Sequence, residues 1–100
     1  MKTIVKSIIT VVFLFAGVIT NVQAQEKVIA AFDQSYDQET NGEYTKAINT
    51  LKDVYDEQSY EINLRLGWLT YMAGLFTESQ SYYQKSISLM PYSIEAKFGY

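Results

Sequence analysis

Apolar and aromatic positions return every three or four residues along most of this chain, and that period belongs to helices. The stripe between Glu26 and about Thr40 is Val28, Ala31, Phe32, Ser35 and Tyr36, which predicts a first helix. Asn41-Gly42 ends it, because these two residues accept the left-handed backbone that closes a helix. A second helix follows over about 43–57, with Tyr44, Ala47, Ile48, Leu51, Val54 and Tyr55 on one face and Lys46, Asn49, Lys52 and Asp53 on the other. After a polar break, Ser59 is placed to cap a third helix over about 60–73 by accepting from an exposed amide of its first turn. That helix is apolar nearly all round, at Ile62, Leu64, Leu66, Leu69 and Met72, the pattern of a helix sandwiched between neighbours. Gly67 in its middle costs up to about 1 kcal/mol of helix propensity relative to alanine. A cost of that kind predicts another helix backbone passing close by. Gly74 ends the third helix, and Thr77 with Gln80 has the form of a capping box for a fourth over about 77–90, burying Ser79, Tyr83, Ser86, Ile87 and Met90. Pro91 stops it. Ser93 then caps a fifth helix that starts at Ile94 and reaches the last residue, Tyr100.

The pattern repeats. Gly42 and Gly74, Tyr44 and Phe76, Ala47 and Ser79, Leu51 and Tyr83 all stand at the same offset, as do Phe32 and Leu64, and Tyr36 and Trp68. Self-similarity at a period of roughly twenty to fifty residues is the signature of stacked helical units. The crossing points take small residues, Gly67, Ser79, Ser86 and Ala47, and the gaps between them take Phe76, Tyr83, Tyr44 and Leu51 as knobs.

Composition changes the picture at the amino end. Lys2 and Lys6 precede an apolar run from Ile8 to Ile19, a polar break and the ending Val22-Gln23-Ala24. This is the layout of a secretory signal peptide over residues 1–24, cleaved after Ala24. The rival reading is a membrane anchor, which takes roughly 20 apolar residues, more than this run holds. Every acidic residue lies beyond Ala24, so the 100-residue chain's net charge of −3 becomes more negative once the two leading lysines are removed. An acidic chain is poorly suited to nucleic acid, which needs clustered lysine and arginine. The absence of cysteine excludes disulfides, thiolate metal sites and a lipid-modified amino-terminal cysteine.

The unit around residues 60–93 resembles the tetratricopeptide repeat family in Leu66-Gly67, the turn Gly74, aromatic Phe76, small Ser79, aromatic Tyr83, small Ser86 and closing Pro91. It departs at Asn63 and Thr70, where that family carries large or aromatic residues, with Trp68 and Tyr71 one position further on. A fainter unit, about 28–59, keeps its second helix but has Gln34-Ser35 for Leu-Gly and Ser59 for the proline. The start of a third unit is read at 94–100. The resemblance implies an all-α fold for residues 25–100: antiparallel helix-turn-helix repeats stacked as a short right-handed solenoid whose first helices line a concave groove. It also implies a protein or peptide partner in that groove.

On that implication the groove residues are Ile29, Phe32 and Tyr36 from the first unit, Glu61, Leu64, Trp68, Tyr71 and Met72 from the second, and Glu95 and Phe98 from the third. Exposed tryptophan and tyrosine offer large contact area at low entropic cost. In one reading Tyr36, Trp68 and Tyr71 grip an extended or helical peptide while Glu61 and Glu95 read a basic group on it. In the other, the aromatic stripe packs against neighbouring helices or further repeats. Asp53, Asp56 and Glu57 lack the wrapping loop and turn glycine of a calcium site and read as a solvated acidic helix end. Without histidine or cysteine the commonest general base and nucleophile are missing, so no enzyme and no cofactor is expected. Carbohydrate binding outside the cytoplasm and self-assembly into a homo-oligomer through the carboxyl end remain as alternatives. After signal cleavage no membrane contact is expected.

Overall fold

The computed structural model describes residues 22–92. The expected signal segment up to residue 21 and the expected fifth helix lie outside them, as do Glu95 and Phe98. The chain divides into two compact units, Met1–Ala30 and Ala31–Tyr100. Of the first, residues 22–30 are helical and mostly exposed, Ile29 among the exposed side chains, and the expected cleavage point after Ala24 falls within this helix.

The fold is all-α, with no strand among the described residues. Helix α1 covers 22–40, α2 Tyr44–Lys52, α3 Tyr60–Met72 and α4 Phe76–Leu89. Within the second unit, residues 31–40 of α1 turn into α2 through the bonds around Gly42, with Thr50 Oγ1 of α2 donating back to Gln38 Oε1 at 2.9 Å; α3 packs on α4 and on α2. The core is Ala31, Ala47, Ile48, Leu51, Ile62, Leu66, Leu69 and Tyr83, with the small polar residues Ser35, Asn63, Thr70, Ser79 and Ser86 buried among them. No helix among the described residues is long and apolar enough to cross a membrane.

The 32-residue periodicity of the sequence is present atom for atom in the two turns. Gly42 has φ 75° and Gly74 φ 80°, the left-handed region where only glycine is free of a Cβ penalty. Gly42 N donates to Glu39 O at 2.9 Å and Glu43 N to Gln38 O at 2.8 Å; Gly74 N donates to Tyr71 O at 3.0 Å and Leu75 N to Thr70 O at 2.8 Å. These paired bonds satisfy carbonyls that a helix end leaves without an intrahelical donor. The residues after the glycines match as well, Glu43 at φ −91°, ψ 63° and Leu75 at φ −92°, ψ 70°.

Several details depart from the sequence reading. Helix α2 ends at Lys52 instead of about 57, because Val54 N and Tyr55 N donate to Leu51 O and Lys52 O in tighter turns. Asp56 therefore stands in the loop, where its Oδ1 accepts from Gln58 N at 2.9 Å. Such local side-chain bonds favour turns over helix. Of the acidic group, Asp53 caps the end of α2, Asp56 serves the turn, and all three carboxylates, Glu57 included, are exposed. Helix α4 begins at Phe76, with Leu75 at the capping position and no side-chain cap. Thr77 and Gln80 consequently lie inside the helix, since the Gly74 turn has already set its start. Phe76 is no interior knob: it is 63% exposed and meets Tyr71 edge-on at 5.5 Å. As the first helical residue it projects back over the turn. Met90, expected inside, is exposed, and so is Met72.

Candidate functional site: an aromatic groove between the hairpins

Helices α1 and α3 bound an open groove of about 300 Å³, lined by Phe32, Tyr36, Tyr60, Glu61, Leu64, Arg65 and Trp68. Five of the ten expected groove residues, Phe32, Tyr36, Glu61, Leu64 and Trp68, therefore meet in one place. They do so because positions i, i+4 on α1 and i, i+3, i+4, i+7 on α3 share a helix face. Tyr71 stands beside the groove, stacked on Trp68 with centroids 6.2 Å apart and planes 25° from parallel. Trp68 is 43% exposed and Tyr36 51%, so both rings keep open surface, although Arg65 of α3 covers one face of Tyr36.

The floor of the groove is a charged knot that the pattern of apolar residues did not reveal. The Arg65 side chain is only 9% exposed, and its Nη1 donates to Glu39 Oε2 at 3.0 Å. Its guanidinium carbon lies 3.9 Å from the centroid of the Tyr36 ring, a cation–π placement that stabilises a desolvated cation. Nη2 donates to Ser35 Oγ at 3.5 Å, while Nε is buried without a partner. Glu39 serves twice, because its Oε1 also accepts from Trp68 Nε1 at 2.6 Å. One carboxylate of α1 therefore neutralises the arginine of α3 and fixes the indole edge. A lone arginine in an otherwise apolar helix, the sole arginine of the chain, was the available signal. A buried cation requires a counter-charge.

The interior of the second hairpin gives partners to two buried polar residues, Asn63 and Thr70. Asn63 accepts from Tyr55 Oη at 2.8 Å and donates through Nδ2 to Ser59 O at 2.8 Å and Glu57 O at 3.3 Å. A large aromatic there could not tie down the 53–59 loop. Thr70 Oγ1 donates to Leu66 O at 2.6 Å, within its own helix. Gly67 is needed for a side chain and not for the backbone anticipated: a Cβ there would lie 2.9 Å from two atoms of the Tyr83 ring. Ser79 Oγ donates to Gly67 O at 2.7 Å, closing the contact. Ser59 Oγ accepts from Ile62 N at 3.2 Å, the anticipated cap.

Burial raises the phenol pKa of Tyr83, as it does those of Tyr82 and Tyr55, the nearby carboxylates adding to it in the latter two. None of these phenols lines the groove. No family model matches the chain, no curated protein matches it, and no solved structure does.

Proposed function

We propose that this chain is a tetratricopeptide-like module, exported and processed after Ala24, that binds a protein or peptide in the α1/α3 groove without catalysing a reaction. The supporting observation is the half-exposed Trp68, oriented by Glu39 and set among Tyr36, Phe32 and Leu64. Large rigid aromatics held in place before a partner arrives lose little entropy on binding, which is how a small surface acquires affinity. The groove volume, about 300 Å³, matches the lower end of small-ligand sites and would take a few side chains of a peptide.

The test is recovery of partners from the exported fraction with the wild-type chain and Trp68→Ala. Partner capture should vanish in the variant while its melting temperature falls little, because Trp68 is not core. Capture that persists in Trp68→Ala would remove the groove from the function. Sequencing the amino terminus of the recovered protein should read from Gln25.

A further inference from the structure

We propose that the groove selects a cationic side chain, lysine or arginine, flanked by an apolar residue, and that Glu39 creates this preference by cancelling Arg65. The proposal rests on the groove reading above and gives the partner's chemistry. Three charges stand at the groove, and two of them are spent on each other: Arg65 is paired with Glu39 at 3.0 Å and its face is covered by the Tyr36 ring. Glu61, in the first turn of α3, is exposed, and no ion pair engages it among the described residues. The groove therefore carries one unanswered charge, and it is negative.

The amino end of α3 works against this, since a helix start carries roughly half a positive unit charge. The carboxylate's full unit is larger, and Ser59 already occupies the Ile62 amide. The net sign at this mouth stays negative. The half-exposed indole of Trp68 adds to the preference, because its π-cloud attracts a cation within about 6 Å of the ring centre, whereas Tyr36 already faces Arg65. Phe32 and Leu64 supply the apolar wall beside it. A carboxylate-bearing side chain in the same place would face Glu61 and find Arg65 occupied.

The experiment is selection of a random heptapeptide library on the immobilised full-length chain, run in parallel on Glu61→Gln and Trp68→Ala, with affinities of the enriched peptides then measured by fluorescence anisotropy. Enriched sequences should carry lysine or arginine beside an apolar residue. Glu61→Gln should weaken them about tenfold, the size of one partly desolvated charge contact, and added salt should weaken the wild type toward the variant. Glu61 is exposed, so the variant's melting temperature should fall only slightly, through the loss of a carboxylate at the helix start. Enriched peptides without cationic residues, or equal affinity for wild type and Glu61→Gln, would overturn the charge preference and leave the groove reading standing. If nothing is enriched on wild type relative to Trp68→Ala, both readings fail. A molar mass that rises with concentration and is abolished by Trp68→Ala would assign the groove to a second copy and likewise overturn the proposal.

Discussion

The two hairpins of this chain turn identically and fill themselves differently. Their glycines, their capping residues and their turn hydrogen bonds agree within a few degrees and tenths of an ångström. Inside, the second pairs the smallest residue with one of the largest, Gly67 against Tyr83, while the equivalent positions of the first hold Ser35 and Leu51, both fully buried. A turn depends on backbone angles and needs one residue type. An interior depends on summed volume, and serine with leucine satisfies it as glycine with tyrosine does.

The harshest way to break the comparison is to empty each interior. Tyr83→Ala should cost about 3–5 kcal/mol and Leu51→Ala about 2–5 kcal/mol, read from denaturant curves followed by circular dichroism. A domain of this size has little more than 5 kcal/mol in total, so the tyrosine variant should be largely unfolded. A leucine lesion that proves clearly the larger would reverse the ranking of the two hairpins.

The knot between them comes next. Glu39→Gln leaves Arg65 buried without its counter-charge and should cost about 2–4 kcal/mol. The emission of Trp68 should shift as well, because its indole N–H loses a charged acceptor. Arg65→Met in the Glu39→Gln background should restore most of the stability, since replacing both members of a buried pair is often nearly neutral. No recovery would mean that the pair is worth more than its desolvation.

Gly67→Ser brings the first hairpin's residue into the second and should cost about 1–3 kcal/mol by crowding the Tyr83 ring. Adding Tyr83→Leu should recover part of that, and a double-mutant cycle measures how much. Strict additivity would deny that the two positions share one volume. Gly42→Ala and Gly74→Ala should each cost about 1–2 kcal/mol, the penalty of a Cβ in the left-handed region, and the two values should agree closely.

The smallest effect is one of pH. Burial raises the Tyr83 phenol above its ordinary 10.0, so the folded chain holds that proton more tightly than the unfolded one. Stability from this group is complete below the ordinary value and declines as pH rises beyond it. Tyr82 and Tyr55 act with the same sign. Tyr83→Phe should flatten part of the alkaline decline seen in melting temperature.

The four described helices, the two turns and the Ser59 cap were legible in the sequence because each depends on residues a few positions apart. Gly42 and Gly74 announce left-handed backbone wherever the chain goes. Phe32 with Tyr36, and Leu64 with Trp68, were each legible as one helix face for the same local reason, and the repeat offset of the two pairs suggested that they share a groove. Arg65, Glu39 and Asn63 were not, since Glu39 meets Arg65 from another helix and Asn63 finds its partners in the loop before it. Whether a polar residue is a surface feature or the centre of a network depends on what the fold brings to it. The early end of α2 was hidden likewise, because Asp56 bonds within the loop and Tyr55 reaches Asn63 of α3, partners that helical periodicity does not encode.

The first turn has an ageing chemistry that its twin lacks. Asparagine followed by glycine loses ammonia readily, since the unhindered glycine nitrogen can attack the asparagine side-chain carbonyl, and the second turn has alanine in the corresponding place. In the folded chain the Gly42 nitrogen is tethered to the Glu39 carbonyl at 2.9 Å, so the attack waits for the turn to open. Deamidation of Asn41, followed by peptide mapping over storage time, is therefore a slow clock for local opening of the first turn. Its ticks should quicken in any variant that loosens the first hairpin.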